Sequence, residues 1–142
     1  MNPSHDKIES TLARLAQRVS ELGFESIAPQ EQVALLAYST HSVVVNGGFK
    51  QFYEGTLPLS QLVSALRSLK LNALANTALS SAAQFPDAAL ADNPVARREH
   101  LATVNTDKQD YAFFRVSSAE LLDAIAAFWK STRQGNPGKN AD

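Results

Sequence analysis

A single-domain, all-α bundle of several helices is the fold class this chain predicts, and three observations carry that expectation. Apolar residues recur at steps of three and four along most of the sequence. Capping and breaking residues punctuate the pattern about once per helix length. The one β-branched run, Val43-Val44-Val45, has no companion run to pair with as a sheet. At 142 residues the chain suits one domain that buries roughly two-thirds of its unfolded surface. That domain is expected over residues 1–133, followed by a frayed tail from Gln134 to Asp142, rich in glycine, asparagine and charge.

The first helix is read from Asp6 to Leu22, with Ile8, Leu12, Leu15, Val19 and Leu22 on one stripe, Asp6 as N-cap and Glu9 three residues on. Gly23 stops it. Pro29 and Glu31 open the second helix, because proline suits the first helical position and an acid suits the positive end of the dipole. It is expected to run through Leu36 and His41 to about Val45. Gly55-Thr56-Leu57-Pro58 reads as a loop. Leu59, Leu62, Leu66 and Leu69 then mark a third helix, and after a break near Leu69 to Asn72, Leu74, Ala78, Leu79 and Ala82 mark a fourth. Phe85-Pro86-Asp87 ends the fourth, since proline biases its predecessor away from helix. Asn93-Pro94 is expected to open a helix carrying Val95, Leu101 and Val104, and Tyr111, Phe113 and Phe114 to sit in a short helix. Ser117-Ser118-Ala119-Glu120 forms a capping box ahead of Leu121, Leu122, Ile125, Phe128 and Trp129.

One stretch stands apart. Asn46-Gly47-Gly48-Phe49-Lys50-Gln51-Phe52-Tyr53 breaks the apolar helix with two glycines and then places Phe49, Phe52 and Tyr53 at i, i+3 and i+4. The triplet reads as the sharp end of one helix and the start of another, with Gly47 or Gly48 at positive φ. The aromatic face is expected in the core. The glycine backbone with Asn46, Lys50 and Gln51 is the candidate binding surface, so the candidate site residues are Asn46, Gly47, Gly48, Phe49, Gln51, Phe52 and Tyr53.

Composition narrows the chemistry. The absence of cysteine removes disulfides, thiolate nucleophiles and Cys-based metal sites. The first ten residues hold no apolar h-region and no apolar run approaches a bilayer's thickness, so a soluble, cytoplasmic protein without membrane contact is expected. Thirteen basic and fourteen acidic residues, interspersed, give a formal charge of −1. That balance offers neither the cationic stripe of a nucleic-acid binder nor the dense carboxylate array of a competitor for one. The one imbalance lies between Leu71 and Ala127, where Asp87, Asp92, Glu99, Asp107, Asp110, Glu120 and Asp123 outnumber Arg97, Arg98, Lys108 and Arg115; Asp107 and Asp110, three apart, read as a solvated helix face.

No catalytic pattern emerges. His5, His41 and His100 lack metal-ligand spacing, and Ser39-Thr40 before His41 carry no nucleophile elbow. The doublet Gly47-Gly48 matches neither phosphate-loop spacing. Phe49, Phe52, Phe113 and Phe114 lack the interleaved cations of a single-strand binder and are expected in the core. No cofactor and no metal are expected.

The phrase Asn-Gly-Gly-Phe-x-Gln-Phe-Tyr, the following Leu/Ala helices ending at Phe85-Pro86, the cluster around Tyr111 to Arg115 and the closing Leu-rich helix resemble a bacterial domain-of-unknown-function family that includes a DNA-mimic protein. The resemblance spans about Glu31 to Ser131. It implies an all-helical cytoplasmic domain without catalytic residues and, in the DNA-mimic member, dimerisation and binding to a transcription factor through an acidic surface. The expected function is therefore a non-enzymatic, regulatory protein-interaction module with a protein partner, homodimerisation being a further association the resemblance suggests. Two alternatives stay open: a small ligand-binding domain or enzyme with a cleft near His41, Asn46 and Gln51, and an immunity-type inhibitor of a toxic nuclease using the acids from Asp87 to Asp123.

Overall fold

A computed structural model describes residues 4–134, and the tail expected from Gln134 onward lies outside them except for its first residue. Among the described residues there are seven α-helices and no strand: α1 (His5–Leu22), α2 (Pro29–Glu54), α3 (Leu59–Ser68), α4 (Asn72–Ala82), α5 (Pro94–Arg97), α6 (Asp107–Arg115) and α7 (Ser118–Gln134). Short 3₁₀ turns fill Phe24–Ser26, Ala88–Asp92 and Arg98–His100. The all-α class read from periodicity is the fold.

The central element is α2, which packs against α1, α3, α6 and α7, while α3 and α4 pair with each other and α4 also meets α6. Helix α2 starts where Pro29 fixes φ and where the Glu31 carboxylate accepts the Ala28 amide at 2.8 Å, satisfying one of the donors orphaned at a helix start. The α3–α4 joint is a Schellman turn, with Leu71 N bonded to Leu66 O and Lys70 N to Arg67 O, both at 2.9 Å. Its left-handed residue is Lys70 (φ 62), where glycine is the usual occupant. The core joins the buried stripes Ile8–Leu12–Leu15, Leu59–Leu62–Leu66 and Leu121–Leu122–Ile125 around Phe49, Tyr53 and Phe113.

Three expectations are corrected. The N-cap of α1 is Ser4, whose hydroxyl accepts the Lys7 amide at 3.3 Å; Asp6 lies inside the first turn, where its charge still suits the helix dipole. The helix opened by Asn93-Pro94 ends at Arg97, tightens into a 3₁₀ turn and leaves Val95 74% exposed, because the next side chains, Arg97 and Arg98, are drawn to the end of α2 instead of continuing an apolar stripe. In α6 Phe113 is buried, whereas Phe114 stands at the surface.

Candidate functional site at the glycine corner

Helix α2 is two helical segments joined at Gly48, whose φ of 76 and ψ of 176 lie outside helical space and inside a region open to glycine. The chain bends there, and the segment Phe49–Glu54 begins anew. Its first amide, Phe49 N–H, donates to Asp110 Oδ1 of α6 at 2.8 Å, so a carboxylate from another helix fills the role an N-cap side chain has in a continuous chain. Asp110 is held in turn by Thr106, whose hydroxyl donates to Oδ2 at 3.3 Å. A Cβ on Gly48 would meet Asp110 Oδ2 at 2.6 Å, so the glycine is required twice: for its φ and for the close approach of the carboxylate. Gly47 keeps helical angles but is covered by the Gln51 side chain, whose Oε1 would lie 1.6 Å from an added Cβ.

The short segment is anchored by its aromatics. Phe49 and Tyr53 are wholly buried and Phe52 nearly so. Phe49 meets Phe113 edge-on with centroids 5.0 Å apart, and Tyr53 meets Phe85 in the same way at 4.9 Å, both preferred quadrupole geometries. The Tyr53 hydroxyl bonds Ser81 Oγ at 2.5 Å, and Ser81 passes its own proton to Ala78 O. Burial pushes the Tyr53 phenol up to about 12, with the Ser81 hydrogen bond and the nearby Arg97 charge opposing the rise.

Arg97 closes the other end, and nothing in the sequence singled it out. It is fully buried and has no carboxylate partner among the described residues. Its guanidinium instead donates to a set of main-chain carbonyls: Nε to Tyr53 O at 2.9 Å, Nη1 to Leu57 O at 2.8 Å and Ala91 O at 2.7 Å, and Nη2 to Gly55 O at 3.0 Å and Phe52 O at 3.5 Å. Phe52, Tyr53 and Gly55 lie at the negative end of α2, so a buried cation there meets the helix dipole, while Leu57 and Ala91 add carbonyls from the following loop and turn. Arg98 adds bonds to Glu54 O and Gly55 O from the solvent side. Burial lowers the Arg97 pKa from its ordinary value, with the Tyr53 side chain opposing the shift. The missing signal is physical: one arginine in a surface-like context reads as solvated, and only tertiary structure reveals a cage of carbonyls.

Of the candidate residues, Asn46, Gly47 and Gln51 are exposed, Gly48 half-buried, and Phe49, Phe52 and Tyr53 buried. Lys50 is exposed beside them. A shallow groove of about 270 Å³ opens next to Gln51, walled by Thr40, Val43, Phe52, Gly55, Thr56 and Leu57. His41 and Asn46 do not wall it. His41 points the other way and is buried, with Nε2 donating to Val116 O at 2.8 Å and Phe113 O at 3.1 Å, so it closes the C-terminal end of α6. His41, Asn46 and Gln51 thus do not meet in one cleft.

Four of the seven acids between Leu71 and Ala127 are engaged in caps and ties. Asp87 caps the turn through Ala89 N, Asp92 accepts Ser60 N at 2.8 Å, Asp110 caps the corner, and Asp123 pairs with His5 at 2.7 Å. The reading of Asp107 and Asp110 as one solvated face is corrected for Asp110, which is half-buried. No group of three or more His, Asp or Glu side chains that could hold a metal occurs among the described residues, and no described helix is long and apolar enough to cross a membrane.

A family model described as DMP19-like protein matches residues 25–136. The match takes in α2 to α7, hence the whole corner with Asp110 and Arg97, and begins after α1. No curated protein and no solved structure gives a match.

Proposed function

The chain belongs to the DMP19-like protein family, and from that premise we propose that it is a non-enzymatic, regulatory protein-interaction module that engages a protein partner through the exposed rim of the glycine corner. The observation that carries this reading is the contrast within eight residues: Phe49, Phe52 and Tyr53 are locked in the core while Asn46, Lys50 and Gln51 are held at the surface beside an open groove. A rim fixed by Asp110 at one end and Arg97 at the other loses little conformational freedom on binding, which favours affinity. The groove is small for an organic substrate, since ligand sites run from about 300 Å³ upward, and it holds no titratable side chain.

Binding to DNA, or competition with DNA for a cationic partner, is not part of the proposal. A formal charge of −1 does not supply the electrostatic term such binding needs, and four of the seven acids between Leu71 and Ala127 are engaged in caps and ties.

The test is affinity purification of the tagged full chain from its native cells, with mass spectrometry, run beside Asn46→Arg/Gln51→Arg and beside Lys7→Glu as a remote control. A protein retained by the parent and the control and lost from the corner variant supports the reading. Identical retention on all three baits overturns it. In parallel, duplex DNA titrated across a salt series is expected to give no binding; tight, salt-sensitive binding would contradict the electrostatic argument.

A further inference from the structure

The outer face of α6 exposes two large aromatics one helical turn apart. Tyr111 is 62% and Phe114 63% exposed, in a helix whose inner residues Gln109 and Phe113 are buried. Isolated exposed apolar residues are ordinary, but an adjacent aromatic pair on a rigid helix forms a patch, and aromatics are the residues enriched at the centres of protein interfaces. Cations flank the pair: Lys108 lies one turn before Tyr111 and Arg115 one turn after it, with the Arg115 guanidinium 5.9 Å from the Tyr111 ring centre. The one exposed acid of α6, Asp107, occupies its first turn, where the positive end of the helix dipole favours it.

We propose that the Lys108–Tyr111–Phe114–Arg115 face of α6 is a docking surface for an acidic segment of a protein partner, one carrying carboxylates around an apolar or aromatic anchor. Charge complementarity selects that occupant: the anchor covers the aromatic pair, and carboxylates on either side meet the two cations, which set specificity and rate of encounter. Two cations suffice for a short acidic segment. They do not suffice for a nucleic-acid strand, whose affinity scales with the number of phosphates neutralised, in a chain of formal charge −1. The face is separate in its residues from the corner rim, so it stands whether or not the corner binds.

The experiment is chemical-shift mapping on the isotope-labelled full chain with three probes: a twelve-residue peptide alternating glutamate with leucine around a central tryptophan, the same peptide with lysine for glutamate, and a twelve-nucleotide oligo-thymidine. The acidic peptide is expected to shift residues 107–118 saturably and to bind at least about tenfold more tightly than the basic one. Tyr111→Ser/Phe114→Ser is expected to abolish the shifts, and Lys108→Glu/Arg115→Glu to reverse the preference between the peptides. All four positions are exposed, so melting temperatures close to the parent's are expected and are measured for each variant. Absence of binding, equal binding of both peptides, shifts centred elsewhere, or preference for the oligonucleotide would each overturn the proposal.

Discussion

The amide of Phe49 donates to the carboxylate of Asp110 at 2.8 Å, so the second half of α2 takes its N-cap from a residue 61 positions further along the chain. The bond explains why Gly48 is glycine, since any Cβ there would collide with the same carboxylate. Asp110→Ala is therefore expected to destabilise the protein by about 1–2 kcal/mol, as loss of an N-cap does, and Asp110→Asn by less because its amide oxygen still accepts. Urea midpoints of the two variants check the order. Equal and negligible losses would show that the bond does not hold the corner.

The two glycines are not equivalent. Gly48→Val combines a β-branched residue at positive φ with displacement of Asp110 and is expected to cost about 2–4 kcal/mol. Gly47→Ala asks only Gln51 to move and is expected to cost less than about 1 kcal/mol. Denaturation curves of both variants decide; equal losses would mean that the positive φ is not the constraint.

Phe52→Ala removes a buried ring that also lies under the Arg97 guanidinium, 5.4 Å from its centroid, and is expected to lose about 3–5 kcal/mol. A thermal melt matching the parent would place that ring at the surface.

Arg97→Met retains the stem's packing but removes the donor shared by the Tyr53, Gly55, Leu57 and Ala91 carbonyls, and a loss above about 3 kcal/mol is expected. Arg97→Lys is expected to recover little, because an ammonium cannot reproduce the planar fork. Guanidinium unfolding of both measures this, and a lysine variant as stable as the parent would show that charge alone suffices.

Tyr53 makes stability depend on alkaline pH. Its phenol titrates near 10 when unfolded and near 12 when folded, so its contribution is complete below pH 10 and disappears as pH rises through 12. The full loss is about 2–3 kcal/mol. Tyr38 is raised too, by burial and then by Glu9, so Tyr53→Phe is the variant that assigns the effect. Urea midpoints at several alkaline pH values should fall less steeply for Tyr53→Phe than for the parent.

Local signals made much of this fold legible before its coordinates. The stripe Ile8–Leu12–Leu15, proline at the start of α2 and the spacing of Phe49, Phe52 and Tyr53 are each encoded within a few residues, and each is where periodicity puts it, although the stripe stops short of Leu22, which is exposed. Serine at the start of α7 caps as expected, with Ser117 Oγ accepting the Glu120 amide at 3.1 Å. What stayed hidden is non-local. Asp110 looks like any solvated acid until α6 is laid on α2, Arg97 resembles any surface arginine until its carbonyls gather, and Phe114 has the hydropathy of a core residue although it lies on the exposed side of α6. Sequence spacing reports on one helix at a time and carries no information about which helix lies opposite.

Both clamps on the Phe49–Glu54 segment come from downstream, at Arg97 and Asp110. During vectorial synthesis the glycine bend therefore leaves the ribosome well before either residue that secures it. From Glu54, where the segment ends, 56 further residues must be added before Asp110 is in the chain. The corner is thus secured only once the chain has been made through α6, while the start of α2 waits longer still, for Trp129 of α7 to donate to Gln30 O.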